Sequence, residues 1–255
     1  MKDAIIYEFP LNERIRLFLR VEQLFQQIHH FARGSSIWDS RALVSHLLEM
    51  LNLLGRNDLK SEVLKELERH TAALTRLARK DGSDSVRIGE ILKQLEAMSR
   101  KIYAIPGRVG GELLEDDLIK SIAQRTSIPG GTCSFDLPAF HRWLHLDYPE
   151  RMSDLDRWLQ SLNVIHATMI QLLNFTRSCS DSSRQVAQAG YYQKTLDHSL
   201  PYQLLSVTLD GSIPCYAEIS GGKHRFSVRF MVMEPAGRPV QATGDIEFQL
   251  NCAIL

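Results

Sequence analysis

The repeat distance of the apolar residues changes once along this chain, around SCSDSSRQVAQAG at 178–190, and a chain that changes period must build two kinds of element. Before that point the steps are three and four residues. They run through Leu17, Val21, Leu24, Ile28 and Phe31; Val63, Leu67, His70, Leu74 and Leu77; Ile88, Ile91, Leu95, Met98 and Ile102; and Leu155, Leu159, Leu162, His166, Met169 and Leu173. Each series lines one face of an amphipathic helix that needs a partner. Gly34-Ser35-Ser36, Gly55-Arg56-Asn57, Asp81-Gly82-Ser83, Pro106-Gly107, Pro129-Gly130-Gly131 and Pro149 supply the breaks, and connections this short predict neighbouring helices packed as a bundle. Beyond the boundary the step is two. Segments 203–209, 213–219, 223–233 and 245–252 read as strands separated by Asp210-Gly211, Gly221-Gly222 and Pro235-Ala236-Gly237, and such turns make the sheet antiparallel. Segment 4–9 is strand-like, stops at Pro10, and is predicted to cross over to the C-terminal sheet. The expected fold is α+β. It has an N-terminal helical bundle domain over 10–182 and a C-terminal antiparallel β domain over 190–255 that includes 4–9, with the polar stretch near 178–190 as a short linker.

A chain of 255 residues with 44% hydrophobic composition can bury a sizeable core. Thirty basic residues balance thirty acidic ones and the pI is about 7.1, so no global field draws in nucleic acid or an anionic membrane. The first twenty residues carry only a brief apolar run before Glu8 and then a set of arginines, which fits neither a cleavable signal nor a membrane span. Cys133, Cys179, Cys215 and Cys252 lie far apart without a C-x-x-C pair, as a reducing compartment permits; each is expected to be a small buried or half-buried residue. These features predict a cytoplasmic protein.

SIPGGTCSFDLPAFHRWLHL, 127–146, is the densest collection of chemically capable side chains. His141 and His145 stand four apart, as in the H-E-x-x-H zinc proteases, but Arg142, Trp143 and Leu144 occupy the intervening positions. The general-base glutamate is missing and a guanidinium sits beside the metal position. Cys133, Ser134, Asp136 and His141 are too close in sequence to converge on one reacting atom, and no G-x-S-x-G elbow is present. Gly130-Gly131 lacks the frame of a phosphate-binding loop. A packing reading accounts for the stretch better: a turn at Pro129-Gly130-Gly131, Asp136 as N-cap, Pro138 in the first turn of a short helix, and Phe140, Trp143 and Leu144 buried. No catalytic residue, metal ligand or cofactor is expected.

Charge is organised elsewhere. In KHRFSVRFMVM, Phe226, Val228 and Phe230 fall on one face of a strand, and Arg225, Ser227, Arg229 and Met231 on the other. The two arginines are then about 13 Å apart, and Lys223 extends the row. Cations beside an apolar residue suit an extended peptide that carries carboxylates and a hydrophobic side chain; a solvated outer face with ordinary salt bridges has the same pattern. Arg14, Arg16 and Arg20 alternate with Glu13 and Glu22 as intrahelical pairs would, and Glu112, Glu115, Asp116 and Asp117 place acid at a helix start, where the macrodipole favours it. From the residues alone, an α+β interaction module comes first, a small metal-dependent hydrolase second, and a nucleic-acid binder is disfavoured.

Four stretches in the same order carry a resemblance to a known family: YEFPLNERIRLFLRVEQL at 7–24, VLKELERH at 63–70, SIPGGTCSFDLPAFHRWLHL at 127–146, and ISGGKHRFSVRFM at 219–231. With them the chain closely resembles the bacterial ZapD proteins, also called YacF, from near the N-terminus to about residue 250. The resemblance implies a cytoplasmic cell-division factor at the mid-cell ring, without catalytic activity. Such a factor binds the C-terminal tail of the tubulin-like protein FtsZ, bundles its protofilaments as a homodimer, promotes Z-ring assembly and lowers FtsZ GTPase activity. It also implies a basic tail-binding pocket, whose arginines fall on Arg56, Arg225 and Arg229. Lys223 and His224 join them on charge and proximity. GELLEDDL is acidic where the family carries more arginine, and the segments 33–40 and 180–200 diverge.

Overall fold

The structure, a computed structural model, describes residues 4–79, 85–222, 224–234 and 237–254. The chain opens with strand β1 (Ile5–Pro10), and Asn12 then accepts a hydrogen bond from the Ile15 backbone N–H (2.9 Å) where helix α1 (Glu13–Phe31) begins. Seven more helices follow among the described residues: α2 (Ile37–Arg56), α3 (Leu59–Ala78), α4 (Ser85–Tyr103), α5 (Asp117–Arg125), α6 (Pro138–Leu144), α7 (Tyr148–Gln160) and α8 (Asn163–Ser178). The strands are β2 (Ser180–Ala187), β3 (Tyr191–Thr195), β4 (Tyr202–Leu209), β5 (Tyr216–Gly221), β6 (Arg225–Val232), β7 (Val240–Gln241) and β8 (Ile246–Ile254). The fold is α+β, helical first and antiparallel β afterwards. It divides into two units: residues up to Phe18 together with those from Leu173 onward, and Leu19–Leu172 between them.

In the helical unit, capping and packing can be assigned residue by residue. Ser36 and Asp39 form a reciprocal capping box at the start of α2, and the Asp58 side chain caps α3 through Ser61 N–H. Helices α3 and α4 are antiparallel neighbours, since Lys60 near the start of α3 donates to the carbonyls of Tyr103 and Ile105 at the far end of α4. Asp81-Gly82-Ser83, expected as their turn, lies outside the described residues. Arg151 is buried and fully engaged. It donates to Ser40 Oγ (3.1 Å) and to the carbonyls of Leu144 (3.1 Å), Leu146 (2.6 Å) and Ser35 (2.6 Å), so one guanidinium joins α2, α6 and α7. Five N–H donors in a planar fork can serve four acceptors at once, which lysine cannot do.

The β unit is a two-layer sandwich. Sheet A has the order β1-β4-β8-β2, and sheet B the order β3-β6-β5 with β7 also on β6; every pairing is antiparallel. The crossover expected for 4–9 is present, with Ile5 opposite Leu209 and Pro10 opposite Leu204. Pro10 ends the strand at the sheet edge, where its missing N–H costs no ladder bond. Glu8 accepts both halves of the Arg177 guanidinium at 2.8 Å, a forked pair that joins β1 to the end of α8. Phe226, Val228 and Phe230 of sheet B meet Leu205, Val207, Phe248 and Leu250 of sheet A in one buried cluster.

The structure corrects four sequence expectations. The polar stretch read as a linker at 178–190 is mostly strand β2, paired with β8 from Ser180 opposite Ala253 to Ala187 opposite Ile246. It is an edge strand with several exposed positions, so backbone pairing holds it without the apolar alternation that marks a buried strand. At its end, Ala189 (φ 47°) and Gly190 (φ 71°) both adopt positive φ in the turn to β3, and a Cβ on Gly190 would lie 2.5 Å from the Ala242 carbonyl oxygen. The series from Leu155 to Leu173 belongs to two helices, α7 and α8, broken at Ser161 and Leu162. Leu155, Leu162, Met169 and Leu173 are all buried, so the period passes over the break. The N-cap of α6 is Leu137, without a side-chain cap bond, while Asp136 faces Arg125 at 3.5 Å. Cys252 is buried and Cys215 half-buried as expected, but Cys133 and Cys179 are exposed.

Candidate partner-binding face

Apart from the Asp136 cap, the 127–146 stretch packs as its sequence predicts. Phe140, Trp143 and Leu144 are buried, with Pro138 at the first position of α6. The Trp143 indole donates to Asp154 (2.9 Å), and its ring lies 5.4 Å from that of Trp158, whose own indole donates to Asp116 (2.9 Å). Each large ring is thereby buried with its polar atom satisfied. His141 and His145 are exposed, and His145 Nδ1 lies 2.8 Å from the His141 carbonyl oxygen. Among the described residues no three His, Cys, Asp or Glu side chains gather as metal ligands would.

Strand β6 alternates as its sequence predicts. Phe226, Val228 and Phe230 are buried, Arg225 and Arg229 are exposed, and Ser227 and Met231 are intermediate. The outer face of sheet B is therefore built on Arg225, Ser227 and Arg229, flanked by residues supplied through register. Thr195, Gln193 and Tyr191 of β3 stand opposite these three, and on the other side Ser220 and Glu218 of β5 stand opposite Ser227 and Arg229. Among the described residues, Arg225 and Arg229 make no side-chain hydrogen bond or ion pair, so their donors point to solvent. A cleft of about 450 Å³ opens on this face, lined by Tyr191, Gln193, Ser220, Gly222, His224 and Arg225 among others. Tyr191 hydroxyl donates to Gln193 Oε1 (2.7 Å), which fixes the aromatic edge of the cleft.

His224 is exposed at the mouth of this cleft, and its Nδ1 lies 2.6 Å from Nδ1 of His198. Lys223 lies outside the described residues. Arg56 belongs to the helical unit, as the last residue of α2. There it lines a second cleft of about 410 Å³ with Asn57, Asp58, Lys60, Gly107 and Arg108. Arg108 donates to the carbonyls of Leu54 (3.1 Å) and Gly55, so a cation closes the C-terminus of α2, where the helix dipole is negative. Arg56 itself makes no side-chain bond among the described residues.

Sequence reasoning missed Tyr191, Gln193 and His198 beside the arginines, because β3 and the turn after it were not read as strand. The signal was the alternation of Tyr191, Gln193 and Thr195, too short to stand out beside the polar stretch before it. It also missed Lys60 and Arg108 beside Arg56, which chain distance conceals.

Sheet B thus presents exposed arginines that have no side-chain partner among the described residues, and the helical unit carries a cleft with basic side chains. Comparison with known proteins names the biological setting. The model of the ZapD family, described as a cell division protein, matches residues 19–229. Proteins named "Cell division protein ZapD" from Methylococcus capsulatus, Nitrosomonas eutropha and Photobacterium profundum are 45%, 35% and 35% identical to this chain. Their alignments cover 100%, 97% and 96% of it, and 100%, 98% and 97% of those proteins. The chain belongs to the ZapD family of cell division proteins. None of the described helices is long and apolar enough to cross a membrane.

Proposed function

We propose that this protein is a non-enzymatic cross-linker of FtsZ filaments, cytoplasmic and recruited to the mid-cell ring. It binds the FtsZ C-terminal tail, bundles protofilaments as a homodimer, promotes Z-ring assembly and lowers FtsZ GTPase activity. The observation that carries the reading is the outer face of sheet B, where Arg225 and Arg229 are exposed with no carboxylate partner among the described residues, Arg225 lining a cleft with an aromatic edge and Arg229 standing opposite its Tyr191. An extended acidic peptide would find there both its counter-charges and a place for an apolar side chain. Arg56 adds basic character on the helical unit, His224 lines the same cleft as Arg225, and Lys223, which lies outside the described residues, joins them in this reading on charge alone. Two copies of one weak site in a dimer, meeting the many tails of a filament, give a stable cross-link through effective concentration, with no chemistry required of the cross-linker.

The test is co-sedimentation with FtsZ filaments, full-length or lacking the C-terminal tail, using native protein and Arg225→Ala. Native protein should pellet with full-length filaments alone, and Arg225→Ala should pellet roughly tenfold less, as the loss of one charge-assisted contact implies. Binding should also weaken as salt rises from 50 to 300 mM, because exposed contacts between guanidinium and carboxylate are screened. Equal pelleting in all four combinations would remove the assignment.

A further inference from the structure

The His198–His224 pair is the least ordinary contact near the candidate face. The backbone N–H of Leu196 donates to the His224 carbonyl (2.9 Å), which holds the two segments side by side. The rings lie 4.3 Å apart between centroids, tilted by 42°, with Nδ1 facing Nδ1 at 2.6 Å. Two imidazoles can share that contact only if one nitrogen donates and the other accepts. The pair therefore holds its bond when it carries no extra proton and when it carries one, and loses it when both rings are charged.

The groups beside the pair are mostly neutral. Arg225 follows His224 directly, and β5 and β3 contribute Ser220, Gly221, Gly222, Gln193 and Thr195 nearby, none charged. The acid that faces the pair is Asp197. Hydrogen bonds from the Ser199 backbone N–H (2.9 Å) and hydroxyl (2.7 Å), with a smaller contribution from His198, hold its carboxyl below the usual range. Lys223 lies outside the described residues.

We infer that His198 is a positioning residue of the peptide-binding face, and that the His198–His224 pair couples recognition of an acidic peptide to uptake of a proton. This rests on the reading of the sheet B face as the tail-binding site. A carboxylate seated beside Arg225 also faces His224. Its charge favours the protonated pair, in which the shared bond becomes charge-assisted and stronger. Linkage then requires that affinity rise as pH falls through the range in which histidine ordinarily titrates. Neither histidine touches a reacting group; the pair sets how many positive charges the face presents and which nitrogen His224 turns toward the ligand.

The experiment is isothermal titration calorimetry of the full chain with a synthetic peptide of the FtsZ tail sequence. It is run at pH 6, 7 and 8 in buffers of different ionisation enthalpy, so that protons taken up are counted directly. Native protein should take up a fraction of a proton and bind about threefold to tenfold more tightly at pH 6 than at pH 8, below the roughly hundredfold ceiling that one fully linked proton sets over two pH units. His198→Asn and His224→Asn should each abolish most of the uptake and flatten the pH profile, while Arg229→Ala weakens binding yet keeps the uptake. Native binding without proton uptake, or uptake retained in both histidine variants, overturns the inference and leaves the tail-binding face standing. Absence of peptide binding at every pH overturns the face itself, and the inference with it.

Discussion

Arg229 and Phe230 are adjacent in sequence and live in opposite environments: one is exposed on the outer face of sheet B, the other buried in the sandwich core. That split is legible from the strand's period alone, because a strand sends alternate side chains to opposite faces. His166 shows what period misses. It falls on the apolar series of its helix, yet it is a titratable ring stacked on Phe25 at 3.9 Å between centroids, with His29 at 5.1 Å. Burial, with a smaller push from His29 and against the pull of Glu22, lowers its pKa to about 4 from 6.5. The unfolded chain therefore accepts a proton that the folded chain refuses. The neutral ring's contribution is whole above pH 6.5 and is lost as pH falls toward 4. Over that window native protein should lose about 1–2 kcal/mol more stability than His166→Leu, an amount kept modest because the ring is only half-buried. Urea unfolding at pH 7, 5.5 and 4.5 measures it, and parallel pH profiles for the two proteins would contradict the account.

At the scale of elements, what the sequence misread shares one cause. Strand β2 is polar and at an edge, so it follows the ladder of β8 rather than any apolar pattern of its own. The break between α7 and α8 is silent in the period because buried leucines lie on both sides of it. Segment 4–9, by contrast, was recognisable, since alternation followed by Pro10 leaves few alternatives to an edge strand. Arg151 ties α2, α6 and α7 together through four hydrogen bonds, and its sequence context gave no sign of this. Arg151→Lys should destabilise by about 2–4 kcal/mol, because a lysine keeps the charge but leaves buried carbonyls unserved. A lower urea midpoint with unchanged slope reads it out. A midpoint equal to native would mean that the four bonds contribute little.

For the molecule as a whole, belonging to the ZapD family supplies the setting of cell division, and the proposed mechanism depends on two copies acting together. Dilution separates binding from bundling. As protein concentration falls below the dimer dissociation constant, association with tail peptide should persist while filament cross-linking is lost, steeply rather than in proportion. Light scattering of FtsZ filaments beside peptide anisotropy measures both, and coincident decline would argue against a dimeric cross-linker. The sequence by itself determined the α+β class, the alternation of β6 and the packing role of 127–146. All three rest on local periodicity and turn chemistry, which a chain carries without its partners. Only the tertiary structure decided that Tyr191 and Gln193 flank the arginines, that His198 meets His224, and that Arg108 closes the helix beside Arg56. Those contacts join residues 26 to more than 50 positions apart, and strand register and helix packing, not spacing along the chain, bring them together.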